Sequence, residues 1–159
     1  MVRGTCQTRN KPYLEKFWMS KIIAIDPDVS GSGVCILSNE LIFIGNMQLW
    51  QLFDRLYNIL IDGLQNDYEV IIEQSTSTNT WHKGGKGAAR NVGRNYEISN
   101  QIARFCQIYK IKFRTIEPQG FSKVSHKSFN EITKWNLKKT NTETRVAGLF
   151  AFHVKRGIL

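Results

Sequence analysis

The apolar positions of this chain follow two different periods, and the switches between them mark out its elements. Ile22-Ile23-Ala24-Ile25 is a short, nearly all-apolar, β-branched run. A run without polar alternation predicts a strand covered on both faces. It closes in the turn-rich stretch Asp26-Pro27-Asp28-Val29-Ser30-Gly31-Ser32-Gly33, and Val34-Cys35-Ile36-Leu37 then predicts a second strand. Asn39-Glu40 is a tight connection before Leu41-Ile42-Phe43-Ile44, so the opening reads as an antiparallel meander of three strands. The period then lengthens. Leu49, Leu52, Phe53, Leu56, Ile59, Leu60 and Leu64 recur at three- and four-residue spacing and predict an amphipathic helix over about 47–64.

Val70-Ile71-Ile72 is a fourth short apolar run and ends at Glu73. A polar stretch follows from Gln74 to about Arg90, and a second helix fits 92–109, with Tyr96, Ile98, Ile102, Phe105, Cys106 and Tyr109 as its apolar positions. Ile111 to Ile116 predicts a fifth strand, closed by Glu117-Pro118. A short helix is expected around 126–135, and a final one from about 141 into Val154, capped by Thr140 or Asn141. The order βββ-α-β-α-β-α-α predicts an α/β domain with a mixed five-stranded sheet flanked by helices. Residues 1–20 are polar and basic without a clear period, and are set apart as an N-terminal extension, either disordered or ordered by a partner. Met19, just before the first strand, would serve as an alternative translation start, and 21–159 forms the domain.

At 159 residues such a domain can bury a real core without staples. Its 22 basic against 13 acidic residues give a formal charge of +9, which favours polyanionic partners, nucleic acid before an anionic membrane surface. Cys6, Cys35 and Cys106 form no CxxC pair, and read as thiols of a reducing compartment. His126 and His153 form no zinc cluster with them, and His153 is expected to end a helix as a partly positive ring. No apolar run reaches the roughly 20 residues of a membrane span, so the expected location is intracellular, cytoplasmic or nucleoid-associated.

Two carboxylates stand out by position. Asp26 ends the first buried strand and Glu73 ends the fourth. Either ending has a plain explanation in a strand reaching solvent. If the strands are neighbours, however, both carboxylates project at one end of the sheet, where open α/β sheets place their sites. Two close carboxylates repel unless a cation lies between them, and hard oxygen donors suit Mg²⁺ or Mn²⁺. Glu143 in the first turn of the last helix is a third candidate, although the helix dipole alone favours an acid there. One turn on stands Val146, which cannot bind metal.

These stretches resemble the RuvC-type Holliday-junction resolvases of the RNase H-like superfamily, particularly the small phage and bacterial forms. The likeness runs from Lys21 to about His153. Ile23 to Gly33 resembles the first-strand signature of aspartate, proline and a Ser-Gly turn, and Val70-Ile71-Ile72-Glu73-Gln74 the strand of the second acid. Asn91 to Glu97 resembles the opening of the helix after a mobile loop. Thr133-Lys134-Trp135 with Thr140 to Ala147 resembles the terminal motif. The resemblance implies an RNase H-like fold, a homodimer, and two Mg²⁺ or Mn²⁺ ions. It further implies hydrolysis of four-way DNA junctions to 5′-phosphate and 3′-hydroxyl ends in DNA recombination and repair. Carried over by position, the metal ligands fall on Asp26, Glu73, Glu143 and Val146. The last is normally aspartate, and Asp28 or a water is the candidate to fill the vacancy.

Lys83, Lys86, Arg90 and Arg94, interleaved with glycines, would attract phosphates, and Trp81 and His82 would contact an unpaired base. The bland alternative is a solvated loop whose tryptophan packs back on its own domain. By similarity the segment carrying Lys123, Lys127, Lys134, Lys138 and Lys139 approaches the scissile phosphate, with Lys123 or Lys127 touching it. The alternative is that these lysines serve only as a solubilising surface. Arg145 would pair with a carboxylate or touch DNA. Tyr96, Ile98 and Phe105 are candidate dimer contacts, unless they belong to the monomer core. Two rival readings stay open: a branched-DNA-binding protein that cuts weakly or not at all because of Val146, and a related nuclease of flaps, forks or RNA–DNA hybrids. A phage-encoded protein acting in the host cytoplasm fits the size.

Overall fold

The computed structural model describes residues 21–74 and 85–159, with the side chains of 85–89 excepted. The three apolar runs at the start form β1 (Lys21–Asp26), β2 (Ser32–Leu37) and β3 (Leu41–Met47), an antiparallel meander. The amphipathic stretch forms α1 (Leu49–Ile61), and β4 (Tyr68–Glu73) returns parallel to β1. After it come α2 (Gly85–Ile108) and β5 (Phe113–Ile116), the latter parallel to β4. A 3-10 turn (Phe121–Lys123), α3 (His126–Thr133) and α4 (Thr142–Lys155) complete the chain. The sheet order is β3-β2-β1-β4-β5, so β1 and β4 are central neighbours. That is the βββ-α-β-α-β-α-α order expected from the periods.

The two-residue period of the strands splits the core into two layers. Ile23 and Ile25 of β1 join Val34, Ile36, Val70 and Ile72 against α1 and α2, through Leu52, Leu56, Ile59, Ile102 and Cys106. Ile22 and Ala24 face the other way, with Cys35, Leu37 and Ile71, against Val146, Ala147, Phe150 and Ala151 of α4. On this second face helix and sheet come very close. A β-carbon at Gly33 would collide with the backbone carbonyl of Glu143, and one at Gly148 would stand 2.8 Å from the Phe129 ring. Glycine is required at Gly33 by backbone approach, and at Gly148 it makes room for the Phe129 ring and the Ile44 side chain.

Several expectations need correction. Helix α2 begins at Gly85, inside the stretch read as polar loop, because its first turns leave Arg90, Asn91 and Arg94 exposed and so carry no apolar period. The glycines Gly85 and Gly87 are therefore helical. Ile98 and Phe105, candidates for a dimer contact, pack into the core of this chain, where Phe105 stacks on Phe53 at 4.9 Å; Tyr96 is exposed. His153 does sit in the last turn of α4, but stacks on Phe121 at 5.0 Å. Burial lowers its pKa against a backbone carbonyl at Leu149, and Arg156 lowers it further, so the neutral ring is favoured. Cys35 and Cys106 are buried free thiols, and burial pushes the Cys106 thiol up to about 12; Cys6 lies outside the described residues. Among the described residues no helix is long and apolar enough to cross a membrane.

Candidate active site

The parallel register pairs Ile25 with Ile72, so the next residues, Asp26 and Glu73, stand side by side at the carboxyl ends of β1 and β4. Alternation puts both on the α4 face, since Ala24 and Ile71, two residues earlier on each strand, lie in the α4 core. Across β1 on its other side, Asp26 is registered with Gly33, the residue over which the Glu143 carbonyl passes. Gly33 thus seats the first turn of α4 beside the end of β1. Asn141 fixes that turn by capping it: its side-chain oxygen accepts from the Thr144 amide at 2.9 Å, and Thr144 Oγ1 accepts from the Asn141 amide at 3.1 Å. Asn141 Nδ2 also donates to Asn46 Oδ1 at 2.9 Å, and Asn46 Nδ2 donates to the Gly31 carbonyl at 3.3 Å. The α4 terminus, the edge strand β3 and the turn after Asp26 are thereby linked.

The carboxylates feel one another strongly. Burial, then a hydrogen bond and repulsion from Glu73, then repulsion from Glu143 and Asp28, push the Asp26 carboxyl up to about 9. Burial also raises Glu73, while the hydrogen bond from Asp26 works the other way. Without a cation the protonated form of the pair is favoured, Asp26 being raised by burial and by Glu73. Among the described residues no three His, Cys, Asp or Glu side chains converge closely enough to form a ready-made metal cage. The arrangement is a close pair with Glu143 near enough to repel it. Hard oxygen donors, with burial that a cation would relieve, fit a divalent metal, and Asp26, Glu73 and Glu143 are the residues that could hold it.

A cleft of about 160 Å³ opens onto the pair. Asp26 and Glu73 line it with Pro27, Gln74 and Pro118, and α2 contributes Val92, Asn95, Tyr96 and Ser99. Gln74 Nε2 donates to Asn100 Oδ1 at 2.6 Å, tying the end of β4 to α2. Sequence reasoning does not single out Val92, Asn95 and Ser99 individually, although Val92 and Asn95 lie inside the Asn91 to Glu97 stretch that carries part of the resemblance. It gives Tyr96 as a helix position and dimer contact and not as part of the cleft.

Asp28 sits in the turn just beyond Asp26. Burial pushes its carboxyl up, but hydrogen bonds from the Ser30 hydroxyl and amide and from Asn95 outweigh it, and the pKa falls below the ordinary carboxylate value. Val146 is 2% exposed and belongs to the apolar core between α4 and the sheet. Arg145 donates to the Val124 carbonyl (2.9 Å), the Thr140 carbonyl (2.9 Å) and Thr142 Oγ1 (3.3 Å). It therefore clamps the turn that carries Lys123 to the helix start that carries Glu143. Lys123, Lys127 and Lys134 are exposed on the 3-10 turn and α3, Lys127 within 4.0 Å of Glu131. Arg90 and Arg94 are exposed on the first half of α2. Trp81, His82 and Lys83 lie outside the described residues, as does the side chain of Lys86.

No protein-family model matches the chain, and no curated protein sequence matches it. Solved structures do. Thermus thermophilus RuvC in complex with a Holliday-junction substrate superposes with a TM-score of 0.55 at 11% identity, covering 87% of this chain and 97% of that one. A second T. thermophilus RuvC structure gives 0.44 at 10% identity, with the same two coverages. The yeast mitochondrial Holliday junction resolvase Ydc2 gives 0.47 at 11%, covering 87% and 80%. The first of these carries the comparison. The chain has an RNase H-like fold, a mixed five-stranded sheet flanked by helices. Within that fold its arrangement is similar to that of T. thermophilus RuvC.

Proposed function

We propose that this chain is a divalent-metal-dependent endonuclease that resolves four-way DNA junctions. The observation that carries the reading is the register that sets Asp26 beside Glu73 at the mouth of a cleft, with Glu143 brought over Gly33. The fold shared with RuvC, seen with a Holliday-junction substrate, supplies the substrate class. Asp26, Glu73 and Glu143 would hold Mg²⁺ or Mn²⁺, two ions per site. When bound, such ions supply activation of water and stabilisation of the charge that builds on a phosphodiester under attack. The residues of the chain do the rest. Asp26 gives up the proton it shares with Glu73 as the site fills. Arg90, Arg94 and the exposed lysines of 123–134 attract the backbone, and the α2 wall limits how the strand enters the cleft.

The protein would act as a homodimer, since a four-way junction presents paired strands. Exposed Trp50, Tyr57 and Ile61 on α1, with Ile108 and Tyr109 at the end of α2, offer apolar surface for that contact. A second reading has its own observation. Val146 is core, and a site lacking a carboxylate there would hold junctions yet cut them slowly.

Incubation of an end-labelled four-way junction and a matching linear duplex with Mg²⁺, Mn²⁺ or EDTA, beside Asp26→Asn, separates these. Paired symmetric nicks on the junction alone, lost in EDTA and in Asp26→Asn, are the expected result. Tight junction-selective binding without nicks would favour the second reading. Cleavage of flaps or forks in preference to junctions would overturn the substrate assignment.

A further inference from the structure

The turn after Asp26 is fastened from two sides. From the β3 side, Gln48 Nε2 donates to the Ser30 carbonyl at 2.7 Å and Asn46 Nδ2 to the Gly31 carbonyl at 3.3 Å. From the α2 side, Asn95 Nδ2 donates to Asp28 Oδ2 at 3.3 Å, a contact spanning 67 residues of sequence. The other oxygen, Asp28 Oδ1, accepts from the Ser30 amide at 2.8 Å and from the Ser30 hydroxyl. Both carboxylate oxygens of Asp28 are thus engaged. An ionised carboxylate only accepts, so the Asn95 nitrogen must face Asp28, and this leaves Asn95 Oδ1 buried without a partner among the described residues. Asn95 and Asp26 line the same cleft, one on its α2 wall and the other on its floor.

We propose that Asp28 is a positioning residue and not a metal ligand: with Asn95 it forms a latch that holds the α2 wall against the carboxylate end of β1. The latch sets the width of the cleft, and keeps Arg90 and Arg94 in fixed relation to Asp26 and Glu73. The inference rests on the nuclease reading for its consequence in cutting, but the latch itself does not depend on it. Service as a ligand would require Asp28 to turn an oxygen away from Ser30 or Asn95.

The two roles separate in a set of four variants, Asn95→Ala, Asp28→Ala, the double alanine and Asp28→Asn, read by Mn²⁺ affinity, amide hydrogen exchange over 92–96, and junction cutting. In Asp28→Asn the Asn95 amide can turn its unpartnered oxygen towards the new amide, so the latch re-forms. The expected result is near-normal exchange protection, Mn²⁺ affinity and cutting in Asp28→Asn. In Asn95→Ala protection should fall and cutting should drop about three- to tenfold, the range of one coupled hydrogen bond. The double alanine should be no worse than Asp28→Ala alone. Loss of Mn²⁺ affinity in Asp28→Asn, matching that of Asp26→Asn, would overturn the proposal, as would unchanged protection in Asn95→Ala. If Asp28→Ala does not fold, Asn95→Ala and Asp28→Asn still decide. If the wild-type protein cuts no junction, the nuclease reading fails while exchange and Mn²⁺ binding still judge the latch.

Discussion

On the α1–α2 face the central strands present Ile23, Ile25, Val34, Ile36, Val70 and Ile72, and large side chains from both helices fill the space above them. On the α4 face the same strands present Ile22, Ala24, Cys35, Leu37 and Ile71, met by Val146, Ala147, Phe150 and Ala151. The first layer is thick and wholly apolar along the strands. The second is thin at Gly33, where the backbone carbonyl of Glu143 takes the place of a side chain. Along each of β1 and β4 the second layer also runs out into a carboxylate, Asp26 and Glu73. The difference teaches how the site is built: Gly33 lets the helix come close, and closeness brings Glu143 to the carboxylate pair. One face supplies stability, and the other spends part of its burial on charge.

The sharpest way to break this comparison is to place a new carboxylate on each face. Asp26 already carries a raised pKa from burial and from its acidic neighbours, so Val146→Asp adds a further acid at a 2% exposed position one turn from Glu143. In metal-free protein the substitution should destabilise by about 3–5 kcal/mol, the cost of an uncompensated buried charge. Mn²⁺ should restore much of that loss in denaturant titrations, and cutting should rise above wild type. Ile25→Asp on the opposite face should destabilise as much, with no recovery in Mn²⁺.

Gly33→Ala comes next. Its β-carbon would strike the Glu143 carbonyl, so α4 must move, at a cost of about 1–3 kcal/mol in thermal or chemical unfolding. Cutting should fall more than stability explains, because Glu143 moves with the helix. The control on the thick face, Ile25→Val, should lose about 0.5–1.5 kcal/mol and leave cutting unchanged.

A smaller effect follows from the shared proton. Asp26 has its folded pKa raised from 3.8 to about 9, so between those values the folded state holds a proton that the unfolded state has released. The stabilisation associated with that proton is fully present below the unfolded pKa, and is lost as pH rises towards 9. Metal-free protein should therefore lose stability over that window, and Asp26→Asn should remove the slope. At pH 8 the same variant should be more stable than wild type, a trade of activity for stability. Melting curves across pH in EDTA check both statements.

Much of the scaffold could be read from the periods along the chain. β1, β2 and β4 are buried runs of Ile and Val, and Asp26 and Glu73 declare themselves as the polar ends of apolar strands. The start of α2 could not be read, because residues 85–94 carry glycines and basic residues in place of an apolar stripe. Nor could the partners of Asp28 and Arg145. Asn95 lies 67 residues from Asp28 and Val124 lies 21 from Arg145, and local sequence does not encode contacts of that range. Val146 shows the limit from the other side. As a residue type it marks a missing ligand, while its surroundings show a side chain serving the core of the thin layer.

The most direct test of the metal-centre account is calorimetric titration of Mn²⁺ at pH 7 in two buffers of different ionisation enthalpy. Filling the site must expel the proton that Asp26 and Glu73 share, so binding should be accompanied by proton release, and both should vanish in Asp26→Asn. Binding without proton release, or binding that survives Asp26→Asn unchanged, would contradict the account.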